Sequence, residues 1–330
     1  LILLIALAVV YVVGELLSAP IFRAKVYREL LVPQTGDFAA QIAEISFEEI
    51  PTLDRFSAEY LGDRQMGTLS DMVSQFEYSN DSTQINYQGR PVRVAPIGYA
   101  DLIKWFTNRS GGLPAYVVVD MVTQKASVQR LSEGMKYSFS EPLNRNVMRH
   151  LRFNYPTMMF AEPEFEVYET GRPYWIAPRI EKTIGLFGGT DIKGAVLLDA
   201  ISGECTYCDA DDVPTWVDNL YDPDLVMEQY DYHGALINGF INSIFGQRDV
   251  TQTTQGYNYI AMNDDVYMYT GVTSANADQS NLGFLLCNLR TKDTIGLDST
   301  NFKHLLNDFL AFDIGSLTVP TGLLLFMILC

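Results

Sequence analysis

The sequence predicts an α+β protein: an N-terminal transmembrane helix followed by repeated antiparallel β-hairpin units with packed helices. Three observations carry this expectation. Residues 1–13, LILLIALAVVYVV, are apolar without interruption. Beyond them a pair of short motifs recurs three times in the same order. Stretches with helical spacing and capping residues precede the recurrences. Hydrophobic residues make up 48% and charged residues 19% of the 330 residues, which is enough for a sizeable core and excludes a disordered tail.

The apolar start is the first element. Thirteen helical residues reach about 20 Å, short of a hydrocarbon core of about 30 Å. Leu16, Leu17, Ala19, Ile21 and Phe22 extend the apolar character, and Glu15 is the one charge before Arg23. A membrane anchor fits better than a cleaved signal peptide, because Leu17-Ser18-Ala19 is a poor cleavage site, and better than a buried soluble helix. Arg23, Lys25 and Arg28 follow as a basic flank, of the kind usually retained in the cytoplasm. The first residue is Leu1, not Met, so the chain is expected to continue upstream.

Three helical stretches follow. Residues 54–76 read as one or two helices, with Gly62 and Gly67 as breaks. Residues 141–153 place Leu143, Val147 and Leu151 on one face, with Ser140 as N-cap. Residues 222–245 open with Asp222-Pro223, a cap followed by proline at the first helical position. They carry Leu236, Phe240, Ile241 and Ile244 on one stripe and end at Gly246.

The recurring motifs are two turns. The first two recurrences share Gly-Arg-Pro followed by Ala-Pro: Gly89, Arg90, Pro91, Ala95 and Pro96 against Gly171, Arg172, Pro173, Ala177 and Pro178. The third keeps Gly256 and an aromatic strand. The second motif aligns the turns at Asp120, Asp199 and Asn288, which lie 31, 28 and 32 residues after those glycines. Runs such as Val117–Val119 and Val196–Leu198 suit buried strands. A short Asp or Asn side chain accepts hydrogen bonds from the backbone just ahead of it and so starts a turn. Glycine supplies the positive φ that other residues resist. Gly89, Asp120, Gly171, Asp199, Gly256 and Asn288 are therefore expected as structural turn positions, with each unit built from two hairpins. The expected division is 1–28 anchor and basic flank, 29–135 first unit, 136–212 second, 213–294 third and divergent, and 295–330 a tail of uncertain origin. Its apolar end, 321–330, leaves two readings open: the start of a second transmembrane helix, or a reading-frame artefact.

No catalytic, cofactor-binding or metal-ligating residue is assigned, and no cofactor is expected. Cys205 and Cys208 sit on one return strand and point to opposite faces, which suits neither a disulfide nor a shared metal. The acidic group Asp209, Asp211, Asp212, Asp218, Asp222 and Asp224 lacks the Gly and Glu of a calcium loop, so a solvated face is expected, with Asp212 and Asp222 as helix caps. Asn263, Asp264 and Asp265 read the same way. Residues 185–194, GLFGGTDIKG, have Ala195 and Val196 where a phosphate loop needs Lys and Ser or Thr. The net charge of −17, from 23 Lys and Arg against 40 Asp and Glu, argues against nucleic acid as a partner.

The VVVDMVTQ and VLLDAISGE turns, with their preceding helices, resemble PepSY-like domains, best over 140–212, fairly over 54–131 and weakly over 222–294. Gln124 departs from the turn Gly and Asn288 from the Asp of that pattern. A wider run, from LGDRQMG to GYNYIAMNDDVYMYTG, resembles a bacterial family of membrane-anchored extracytoplasmic proteins of unknown function. The resemblance implies a main domain outside the cytoplasm and a binding or regulatory role in the cell envelope. It implies a membrane contact through the N-terminal helix and another envelope protein or peptide as partner. The alternative is a cell-wall glycan-binding protein or glycan hydrolase that uses aromatic and carboxylate residues.

Overall fold

The computed structural model describes residues 1–36, 51–262, 264–275 and 281–298. Two helices open the chain, α1 (Ile2–Ser18) and α2 (Pro20–Arg28), and they meet at a bend of 51°. Ala19 between them is extended (φ −65°, ψ 140°), because the Pro20 ring disfavours helical geometry at the preceding residue. The segment expected as one anchor is thus a bent pair. No single described helix is long and apolar enough to cross a membrane, although the bent pair together meets that measure by length and composition.

The remaining elements follow one plan three times. In the first unit, α3 (Arg55–Gly67) precedes β2 (Phe76–Tyr78) and β3 (Thr83–Tyr87). Both short strands pair with β4 (Arg90–Tyr99), which pairs with β5 (Leu113–Asp120) and through it reaches β6 (Ala126–Met135). A short helix, α4 (Leu102–Asn108), links β4 to β5. In the second unit, α5 (Val147–Asn154) precedes β7 (Met159–Phe160) and β8 (Glu164–Val167). Both lie on β9 (Pro173–Ile184), followed by β10 (Gly188–Asp199) and β11 (Cys205–Asp209). In the third, α6 (Pro223–Ala235) precedes β12 (Thr251–Thr253) and β13 (Asn258–Met262). Both lie on β14 (Asp265–Ser274), followed by β15 (Asn281–Asn288) and β16 (Thr294–Asp298). The third unit therefore runs past 294. Its sheet also takes in β1 (Gln34–Gly36), which pairs in parallel with β16, so residues 34–36 belong here and not with the first unit. A three-residue strand is too short to show an alternating pattern. The rest of the tail, 299–330, lies outside the described residues.

Capping and local partners shift the expected helix ends. Asp54 caps α3 by accepting the Ser57 N–H at 2.9 Å, and the helix stops at Gly67. The helix expected over 141–153 begins only at Val147, capped by Asn146 instead of Ser140. Glu141 is the reason. Its buried carboxylate accepts from Tyr99 Oη at 3.1 Å and Trp105 Nε1 at 2.7 Å, which fixes the chain ahead of the helix and leaves Leu143 exposed. Asp222 caps α6, but Asp212 ends a 3-10 turn and caps nothing. Beyond α6 the expected stripe breaks at Gly239 (φ 86°), and Ile241 and Ile244 emerge into solvent before and within a π-helical turn at Asn242–Gly246.

The second sheet lies between the other two units. Trp175, Ala177, Val196 and Leu198 join the core shared with the first unit. Their neighbours Ile176, Ala195 and Leu197 point the other way, into the core shared with the third. A sheet covered on both faces needs no polar side, which explains the unbroken apolar run Ala195–Leu198.

Candidate functional site: a cleft where the three units meet

The β5–β6, β10–β11 and β15–β16 turns are built alike. The Oδ1 of Asp120 accepts the N–H groups of Val122 and Thr123, that of Asp199 those of Ile201 and Ser202, and that of Asn288 those of Arg290 and Thr291. The fifth turn residue has positive φ each time: Gln124 at 59°, Gly203 at 81° and Lys292 at 66°. The earlier glycines are less uniform. Gly89 (φ 73°) and Gly171 (φ 86°) lie in the β3–β4 and β8–β9 hairpins. Gly256 instead joins β12 to β13. The corresponding β13–β14 turn carries Asp264 at φ 68°. An Asx residue tolerates the left-handed region, so this hairpin does without glycine.

Arginine accompanies these turns. Arg90 pairs with Asp120 at 3.2 Å, and Arg172 pairs with Asp199. In the third unit the charges are exchanged. Asp265 begins β14 where Arg90 begins β4, and it accepts from Asn288 Nδ2 at 2.8 Å and from Arg290 Nε at 2.7 Å. Of the group expected on a solvated face, Asp264 is exposed, Asp265 is instead buried in this contact, and Asn263 lies outside the described residues.

A cleft of about 810 Å³ opens where the units converge. Its wall carries Phe56 from α3, Glu164 from β8, Asp222 and Asp224 at the start of α6, and Tyr257 and Tyr259 at β13. At its base is Arg93 of β4, 5% exposed. Arg93 Nη1 donates to the Ser82 carbonyl at 2.9 Å and to Ser82 Oγ at 3.2 Å, while Nε has no partner among the described residues. Among the described residues no carboxylate forms an ion pair with Arg93, although Ser82 Oγ passes the contact on to Glu59 at 2.8 Å. Burial lowers the Arg93 pKa. Burial also raises the pKa of Glu164, whose Oε2 accepts from Thr83 Oγ1 at 2.7 Å, with nearby Asp222 acting in the same direction.

Beneath the cleft a second acidic pair ties the units together. Glu166 of β8 is fully buried and accepts the Asp218 and Asn219 N–H groups at 3.0 and 2.8 Å. Asp218 accepts the Asn86 N–H of β3 at 2.7 Å, and Asn219 Nδ2 donates to the Gln84 carbonyl at 2.9 Å. Burial pushes Glu166 up to about 7 and raises Asp218 well above the usual carboxylate range. The solvated face expected for Asp218 is therefore corrected to a buried junction. An Asp within an acidic stretch of sequence carries no mark of the two strands that enclose it.

Cys205 and Cys208 are free thiols that border different cores, Cys205 that of the first unit and Cys208 that of the third. Among the described residues no group of three metal-ligating side chains converges. No family model, curated protein or solved structure matches the chain.

Proposed function

We propose that the protein is a non-catalytic binding protein of the cell envelope, tethered to the membrane through α1, with its three α+β units outside the cytoplasm. The tether is supported by α1 itself, whose large apolar side chains face outward along nearly its whole length. Apolar surface of this extent is stabilised by lipid or by another apolar surface. The PepSY-like reading of the units rests on their shared strand plan and Asx turns.

The observation that carries the binding role is Arg93. A buried guanidinium without a carboxylate partner is unfavourable by several kcal/mol, and a ligand with a negative group would offset that. The partner is therefore a peptide or protein segment that brings a carboxylate to the base of the cleft. Full-length protein in detergent micelles, titrated with extended peptides ending in a free carboxylate, should bind them. Arg93→Met and a C-terminal amide should each weaken binding at least tenfold, roughly the loss of one charge-assisted hydrogen bond. Equal affinities for the unaltered protein and the Arg93→Met variant contradict the reading.

A second reading has its own support. Glu164 has a raised pKa, and it shares the cleft with Asp222, Asp224 and several tyrosines. A half-buried carboxyl sharing a cleft with exposed ones is an arrangement open to glycan hydrolysis, in which one carboxyl acts as acid and another as base or nucleophile. Release of reducing ends from cell-wall glycan, abolished by Glu164→Gln with folding intact, would favour it.

A further inference from the structure

The β9–β10 hairpin tip lies against the apolar helix. Ser18 Oγ accepts the N–H groups of Leu186 and Phe187 at 3.0 and 3.1 Å and donates to the Gly14 carbonyl at 2.7 Å. The Phe187 ring sits 5.6 Å from that of Tyr11. Gly14 makes this approach possible, since a Cβ there would fall 2.5 Å from Phe187 Cε2. Tyr11 to Ser18 spans about 10 Å of helix axis. The hairpin tip is therefore level with the last two turns of α1. Leu186 remains 53% exposed despite these contacts.

Two further elements reach the same place. Ile184 at the hairpin base joins Tyr27 of α2 and Leu236 beyond α6 in a small buried cluster, with Phe240 packed against it. Arg28 Nη1 donates to the Ile237 carbonyl at 3.1 Å, which ties α2 to the chain leading into the π-helical turn. From these joined elements Phe22 and Phe245 project into solvent, 63% and 81% exposed. Arg23, Lys25 and Arg248 belong to the same segments, with Lys25 facing Glu29 at 3.9 Å and Arg248 facing Asp249 at 3.6 Å.

We propose that this apolar collar is a second membrane contact, in which Leu186, Phe187, Phe22 and Phe245 enter the boundary between headgroups and acyl chains. The proposal rests on the tether reading of α1. The occupant is a lipid surface for two reasons. The collar is continuous with α1 through Tyr11 and Ser18, so lipid around α1 reaches the hairpin tip. The net charge of −17 disfavours a second copy of this chain as the occupant, whereas lipid headgroups need carry no net charge. Aromatic and aliphatic side chains accompanied by Arg and Lys are the composition that interfacial contacts use. The collar would hold the three-unit body against the bilayer, so that α1 acts as more than a flexible leash.

The test uses the full chain in vesicles of phosphatidylcholine and phosphatidylglycerol, with lipids brominated at shallow or deep acyl positions. Two substitutions report separately: Leu4→Trp on α1 and Phe187→Trp on the hairpin tip. The added Leu4→Trp emission should be quenched by deep bromines, and the added Phe187→Trp emission by shallow ones. Quenching at position 4 without quenching at 187 overturns the collar and leaves the tether standing. Quenching at neither overturns both. Shielding of Phe187→Trp from aqueous iodide that grows with protein concentration, without bromine quenching, assigns the tip to a second copy and also overturns the proposal.

Discussion

At the scale of single residues, one charge relation is solved in two ways. Units one and two place Arg at or just before the start of the long strand and Asp at the turn. Unit three places Asp265 at the strand start, Asn288 at the turn, and Arg290 two residues later. The amide of Asn288 is needed because it donates to Asp265. Asn288→Asp should therefore destabilise the protein by about 1–3 kcal/mol at pH 7, since a buried donor becomes a like-charged acceptor. Urea unfolding at pH 7 and again near pH 4 checks this, and the loss should shrink at the lower pH as the new carboxyl takes up a proton. Asp199→Ala removes two accepted backbone bonds and the Arg172 partner, for an expected loss of about 2 kcal/mol. Ligand binding by the folded fraction should be unchanged, because Asp199 does not line the cleft.

At the scale of elements, the Glu166–Asp218 junction joins β3, β8 and the approach to α6. Both carboxyls have folded pKa values above those of an unfolded chain, about 4.3 for Glu and 3.9 for Asp. Their stabilising contribution is present in full below those unfolded values and is lost as pH rises through the folded ones. The charged groups around the pair, Glu164, Asp264 and Asp265, are also acidic and act in the same direction. The melting temperature should fall as pH rises from 5 towards 7, between the unfolded and folded values of Glu166, and the part due to Glu166 should level off above about 7. In Glu166→Gln the slope should flatten, whatever the absolute stability. An equal slope in both proteins would remove Glu166 as the cause. This junction also marks where sequence reading stops. The mixed α+β class and the strands at Val117–Val119 and Val196–Leu198 are legible, because β-branched and aliphatic runs between turn residues leave a local signature. The helix start at Val147 is not, because it depends on Tyr99 and Trp105 reaching Glu141 from far along the chain. The cleft is illegible for the same reason: Arg93, Glu164 and Tyr259 come from three separate units and share no spacing.

At the scale of the whole molecule, the second unit contributes to both cores, so the three units should not unfold independently. Leu198→Ala, in the fully buried stretch of β10, should cost about 2–5 kcal/mol and shift the entire transition. Tryptophan fluorescence has one reporter near each unit, Trp105, Trp175 and Trp216, and its midpoint should coincide with that of far-UV circular dichroism. Under the proposed function this cooperative body lies on the outer side of a membrane, held by α1. Protease added to sealed, wall-stripped cells tests that placement most directly. Cleavage within 29–298 from outside, with the α1 fragment retained in the membrane after an alkaline carbonate wash, is the predicted result. Full protection of the body until the cells are lysed would contradict it.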